Sequence, residues 1–317
     1  MLSLKRLVPL SLVAFTTLFF LPVAAQEAKS HFPPDTQAVI RINFRSILGS
    51  ELAKKLGIDQ AKDFLQIVPG ADVLKELGFD PFTDLDTITI AAPGGAKTEQ
   101  GLIIVQGKFK AKKLIDKAEK EAKNNSESLK VIKIGKHTVF EVTVPNSQVP
   151  LFIAIPSDSI ILVSPNKDYL EARLNGKNEE LANKDLGKLF GSLDEKLALS
   201  VAVVSKALDL KSLPEQARGL LEGIETIGGG VALDKDISLE LAVVTKDASA
   251  AKLISETLSQ GLNQALGFLG LMAANQKELV PILEFAKSAK VTSKDKLVSI
   301  SGKLPGSILE EAFKGKK

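Results

Sequence analysis

The chain first shows order at residues 38–43, where Val39 and Arg41 alternate with Ile40 and Ile42. That period of two predicts a strand. Ile47, Leu48, Leu52 and Leu56 then recur at helical spacing, and Gly57 ends the helix they predict. A second helix is expected from Asp59 or Gln60 to Pro69-Gly70, with Phe64, Leu65 and Val68 on its apolar face. A short helical turn over 72–77 should stop at Gly78. Strands over 85–92 and 102–109, a turn at Pro93-Gly94-Gly95 and a charged helix over 110–123 follow. Two further hairpins are predicted, 130–134 with 138–144 around Gly135-Lys136, and 151–155 with 160–163. Asn166 is placed to cap a helix that begins at Lys167 and closes at Gly176.

The pattern then recurs. A nearly continuous apolar run over 197–204 reads as a strand buried on both faces, and Pro214 suits the first turn of a helix over 214–222. Strands over 226–233 and 237–244 enclose the turn Asp234-Lys235-Asp236. A long helical stretch runs from Ala248 to about Ala274, with a further segment over 278–287. A hairpin (289–292 and 297–304) and a helix over 306–314 complete the chain. Thr87-Ile88 returns as Thr226-Ile227, and Lys113-Leu114-Ile115 returns as Lys252-Leu253-Ile254, both at the same offset in the numbering. Lys130-Val131 returns as Lys290-Val291 at a larger offset, and the longer helix of the second copy accounts for the difference. Matches in one register, each at the same point of one order of elements, imply duplication. The expected fold is α+β: two split-βαβ-like (βαββαββα) halves, 26–192 and 193–317, with antiparallel sheets covered by helices.

Ahead of these elements, Lys5 and Arg6 precede an uncharged, largely apolar run over 7–23, and Val23-Ala24-Ala25 supplies the small residues of a cleavage site. Residues 1–25 therefore read as a signal peptide and the protein as exported, periplasmic or extracellular. An uncleaved anchor formed by 7–23 is the alternative, and only in that form is a membrane a partner. The chain holds 41 Lys and Arg against 38 Asp and Glu. Loss of Lys5 and Arg6 leaves it near neutral, with no bulk preference for nucleic acid. The absence of Cys excludes disulfides, thiolate zinc sites and thiol nucleophiles, and leaves a lipoprotein anchor nothing to attach to.

Candidate chemistry is sparse. His31 lies in a polar lead-in over 26–36, and His137 in a hairpin beside Lys136; neither has a partner at ligand spacing. Asp80, Asp84 and Asp86 have the oxygen chemistry calcium requires but lack the glycine and the terminal glutamate of an EF-hand loop. They read as turn and strand-start residues. In Gly94-Gly95-Ala96-Lys97-Thr98, Ala96 separates glycine from lysine and a strand follows, so the segment reads as a hairpin turn rather than a phosphate loop. Gly228-Gly229-Gly230 reads as close packing or a bulge. No nucleophile elbow occurs. No catalytic, cofactor-binding or metal residue is assigned, and no cofactor is expected. Over 254–272, Leu258, Leu262, Leu266 and Leu269 form one stripe, widened by Phe268 and Leu271, with Gly261, Gly267 and Gly270 between. It reads first as a core helix laid on the sheet. The functional reading is a surface for an apolar ligand, a partner chain or a bilayer.

The run from Leu77-Gly78-Phe79-Asp80-Pro81-Phe82 to Thr87-Ile88-Thr89, with Gly101-Leu102-Ile103-Ile104-Val105-Gln106-Gly107-Lys108-Phe109 and Pro150-Leu151-Phe152-Ile153-Ala154, resembles a family of exported proteins of planctomycete-type bacteria. The resemblance extends over nearly the whole mature chain, implies export and the two-copy plan, and brings no assigned activity and no site residues. The expected function is that of an exported non-enzymatic binding or structural protein, its partner an unknown protein or apolar ligand. The alternatives are an exported hydrolase using Asp or Glu acid–base chemistry and a membrane-tethered protein.

Overall fold

The computed structural model describes residues 32–56, 79–94, 100–143, 147, 149–175, 181–208 and 215–314. The signal segment, His31, the helices expected over 59–70 and 72–77, Gly95 to Thr98 and Gly176 lie outside the described residues. Strand β1 (Thr36–Asn43) leads into helices α1 (Phe44–Gly49) and α2 (Glu51–Leu56). After α3 (Pro81–Asp84) come β2 (Leu85–Pro93), β3 (Leu102–Gly107) and α4 (Ala111–Asn124). Four strands follow, β4 (Leu129–Ile134), β5 (His137–Val142), β6 (Leu151–Ala154) and β7 (Ile160–Ser164), and then α5 (Lys167–Leu174) and α6 (Lys184–Ser192). The second stretch runs β8 (Leu199–Val204), α7 (Glu215–Glu222), β9 (Ile224–Leu233), β10 (Ile237–Thr245) and α8 (Ala248–Ala273). It ends with α9 (Val280–Ser288), β11 (Lys290–Lys294), β12 (Leu297–Leu304) and α10 (Gly306–Lys314).

The class is α+β with an antiparallel sheet. Both stretches share one 12-stranded sheet, in the order β11, β12, β10, β9, β8, β1, β2, β3, β7, β6, β5, β4. Its centre is the antiparallel pair of β1 and β8, with Val39 opposite Ala202 and Arg41 opposite Ser200. From this centre the strands fan outward in matching order as far as β3 and β10. There the halves differ. β12 lies directly on β10, whereas the hairpin of β6 and β7 stands between β3 and β5. The first half therefore carries four strands after α4 where the repeating plan has two. Both outer strands carry lysines, Lys130 and Lys133 on β4 and Lys290 and Lys294 on β11. Charge on an edge discourages further strand pairing.

The β2–β3 and β9–β10 hairpins share a defect. One residue bulges out beside the first pair, Asp86 in the first hairpin and Glu225 in the second, and these two are related by the same offset as Thr87 and Thr226. The Lys-Leu-Ile match does not hold so well. That offset would carry Ala111, the start of α4, to Ala250, but α8 already begins at Ala248. Leu114 is buried while Leu253 is exposed. The buried counterpart of Leu114 is Ala251, so the tripeptide match is two residues out of register.

Two apolar layers sandwich the first half. On one face Val39, Ala91, Ile104 and Leu162 pack under Leu170 of α5 and Leu186, Leu189 and Phe190 of α6. On the other, Ile42, Ile88 and Val105 pack with Phe44, Phe79, Phe109 and Leu114 beneath α1 and α4. In the second half Val243 and Val298 pack under Ala251 and Ile254 of α8, with Ile224 beside them. Antiparallel register places α8 on the α4 side of the sheet. β8 is buried along one side only, through Ser200, Ala202 and Val204, and Leu199 on the other side is 42% exposed. The expected two-sided burial fails because the continuous apolar run does not mean that both faces are roofed.

The lead-in is anchored rather than loose from Phe32 onward. Phe32 is 2% exposed and meets the Phe190 ring edge to face at 5.6 Å. The Arg173 guanidinium donates to the Phe32 carbonyl at 3.1 Å, and the Ala182 amide donates to Pro34. The Tyr169 hydroxyl donates to Asp35; burial first, then this bond, raises the phenol pKa above its usual value.

Candidate functional surface

Each polar candidate has a local structural task. The Asp80 carboxylate caps α3 by accepting from the Phe82 amide at 2.9 Å. Asp84 accepts the Asp80 amide at 2.9 Å and the Thr83 hydroxyl at 3.1 Å. Asp86, on the bulge, accepts from the Arg45 guanidinium, which also donates to the Thr83 carbonyl. These bonds turn Asp80 and Asp84 onto their own turn and Asp86 onto Arg45 of α1, and among the described residues no group of three or more His, Cys, Asp or Glu converges for a metal. His137 opens β5 opposite Ile134; burial and then Lys136 lower its pKa. Gly228 sits beneath α6, with Leu189 2.7 Å from where a Cβ would stand. Added carbons at Gly229 and Gly230 would meet the carbonyls of Glu240 and Leu199 at 2.1 Å. The triplet is a site of close packing.

Two polar features escaped the sequence reading. Arg41, one of the alternating residues of β1, is buried with its guanidinium carbon 5.1 Å from the centre of the Phe190 ring. Its Nη2 donates to the Asp194 carbonyl at 3.0 Å and to Ser200 Oγ at 3.2 Å. Burial lowers its pKa, against the opposing pull of Glu195 and Asp194. An open cleft of about 610 Å³ also runs along α4, between Lys110, Lys113, Lys117 and Lys120 and the carboxylates of Asp116 and Asp158. Asp158 accepts the first amide of that helix, on Ala111, at 2.9 Å. The positive helix end is thus matched by the chain's own carboxylate.

The most distinctive surface is α8 with α9. The two corresponding helices have diverged. α4 carries five lysines and three acids on 14 residues and buries Leu114, Ala118 and Ala122. α8 runs for 26 residues with Lys252 and Glu256 as its only charges, and 257–276 contain none. Asp247 caps its start by accepting the Ala250 amide at 2.8 Å. Only Ala251 and Ile254 are buried. The expected core helix is fully buried only in its first two turns, and farther along Leu262, Leu266 and Leu269 of the predicted stripe are half-buried. At 1.5 Å per residue it is about 39 Å long, while β11 beside it has five residues. Leu253 is 58%, Phe268 64% and Leu271 76% exposed. Sequence periodicity identifies an apolar stripe but not whether anything lies beneath it. No helix among the described residues is long and apolar enough to cross a membrane.

These features define an α+β protein with one continuous antiparallel sheet and an apolar helical hairpin on its second half. No family model matches the chain, and comparison with curated proteins finds none similar to it. Among solved structures, crystal form I of TP0453 is similar at 11% identity and a TM-score of 0.48, over 90% of this chain and 95% of that one. Crystal form IV of TP0453 gives 10% identity and a TM-score of 0.49 over the same shares.

Proposed function

We propose that the protein is exported, loses residues 1–25, and acts by binding rather than catalysis, with the α8–α9 hairpin as its contact surface. One observation carries this reading. Of nine large hydrophobic side chains left exposed among the described residues, five (Leu253, Leu258, Phe268, Leu271 and Ile282) lie on this hairpin. Clustered apolar exposure marks interaction surfaces, whereas scattered exposure is ordinary. The apolar run over 7–23 before Val23-Ala24-Ala25, and the resemblance to exported planctomycete-type proteins, support export.

The test is fractionation of the native host expressing either the wild-type chain or Phe268→Asp/Leu271→Asp, with intact mass on the recovered protein. The expected result is loss of 1–25 and recovery of the wild type with something larger than itself, while the double variant runs free. Wild type and variant running alike as free chains would overturn the contact-surface reading. Retention of 1–25 in the membrane fraction would favour the tethered form.

A further inference from the structure

The outward side of α8 carries a regular seam. Leu253, Thr257, Gln260, Gln264, Gly267 and Leu271 follow one another at alternating steps of four and three, so all six fall on one line of an α-helix. All six are exposed, and none is charged. The seam also reads alike from either end: leucine at both ends, small residues (Thr257 and Gly267) next, and amides (Gln260 and Gln264) at the centre. Resting on the reading of this hairpin as the contact surface, we propose that its partner is a second copy of the same chain. The two α8 helices lie antiparallel about a two-fold axis level with Leu262.

In that arrangement Leu253 faces the partner's Leu271, Thr257 faces the partner's Gly267, and Gln260 faces the partner's Gln264. A two-fold contact requires such self-complementarity, since each patch must suit itself in reverse. Charge supports it as well. No like charges meet along the seam, and Lys252 and Glu256 lie off it. The central amides separate a second copy from a bilayer. Hydrocarbon would strand Gln260 and Gln264 without partners, whereas a facing amide supplies both the donor and the acceptor that each needs. Glycine opposite threonine lets the backbones approach there. Of the five exposed large apolar side chains on the hairpin, Leu253 and Leu271 lie on the seam, so the apolar contact is small beside that of a standard specific interface. The contact is therefore a weak, reversible dimer rather than an obligate one.

The chain from Gln26 onward retains every described residue and serves for the test. In sedimentation equilibrium the wild type shifts from monomer to dimer with concentration, and Leu271→Asp, checked for intact fold by circular dichroism, stays monomeric. The chain has no Cys, so single cysteines report the orientation. Leu253→Cys mixed with Leu271→Cys yields an oxidised heterodimer far in excess of either protein's homodimer, because only the antiparallel pair brings those positions within bridging distance. Dominant homodimers of Leu253→Cys would overturn the antiparallel seam. A wild-type monomer at all concentrations overturns the dimer. If the double variant still runs free in the host while the wild type does not, the contact surface stands with a foreign occupant. Sedimentation of a monomeric wild type with phosphatidylcholine vesicles, abolished by Leu271→Asp, makes that occupant lipid. If the host fractions are also unchanged, both readings fall.

Discussion

Gly135 and Asp295 occupy the same first turn position in two hairpins, one from each half, with φ of 56° and 52°. The hairpins match closely: Ile134 pairs with His137 across one turn, and Lys294 with Leu297 across the other. Asp295 is the only non-glycine residue at positive φ among those described. The second hairpin thus keeps the turn's backbone without the residue best suited to it. Together with the paired bulges at Asp86 and Glu225, this shared geometry ties the two halves more firmly than residue identities do.

Opposite substitutions at these two turns should have opposite effects. Gly135→Ala places a Cβ where left-handed backbone disfavours one and should lower stability by about 1–2 kcal/mol. Asp295→Gly relieves the same strain and should raise it by about 0.5–1 kcal/mol. Urea unfolding of the chain from Gln26 measures both. A loss at Asp295→Gly as large as that at Gly135→Ala would refute shared turn geometry.

The order of elements along the chain and most of the hairpins were legible because alternation, turn residues and caps are local signals, whereas the order of strands within the single sheet was not. Asn166 caps α5 as its side chain allows, accepting from Asp168 and Tyr169. What lay beyond the sequence was what each element rests upon. Phe32 stands alone among polar residues, so nothing local announces the Phe190 ring that receives it. Arg41 follows the same alternation as an exposed strand arginine, and its burial depends on α6, which comes only at the far end of the first half. The α8 stripe has the same period whether a sheet lies beneath it or water does. Its Leu262, Leu266 and Leu269 are half-buried, whereas the exposed line through Leu253 and Leu271 runs on the opposite side of the helix, where amides, threonine and glycine leave no apolar period to announce it.

Gly228 and Gly261 should respond differently to the same change. At Gly228 a methyl group would press against Leu189 at 2.7 Å, and overpacking of this kind lowers stability by about 1–3 kcal/mol. At Gly261, within α8, nothing lies within 4 Å. Gly261→Ala should stabilise by about 0.5–1 kcal/mol through helix propensity. Thermal unfolding of both variants provides the comparison, and destabilisation by Gly261→Ala would show that its surroundings are not open.

Arg41 holds its place through ring contact as much as charge. Arg41→Ala should lower stability by about 2–4 kcal/mol, since it removes the stem packed on Phe190 together with the bonds to Asp194 and Ser200. Arg41→Met restores the packing without the buried charge and should recover at least half of that loss. Chemical denaturation decides it. Equal losses in the two variants would assign the residue's role to hydrogen bonding alone.

Asp236 joins the β9–β10 turn to α10. Its carboxylate accepts from Lys303 Nζ at 2.8 Å and from the Gly306 amide at 3.1 Å. The lysine first, and then the amide, hold its pKa below the ordinary carboxylate value of 3.8. A carboxylate with a depressed folded pKa stabilises the fold above its unfolded value, and that stability fades as the pH falls through the folded value. Asp236→Asn keeps an acceptor for Gly306 but loses the charge facing Lys303. The variant should melt below the wild type at pH 7, and the gap should narrow as the pH is lowered beneath about 3.8. Thermal melts of both proteins at pH 7, 5 and 3 test the sign. A gap that widens toward acid, or one indifferent to pH, would mean that the ion pair with Lys303 does not contribute to the fold.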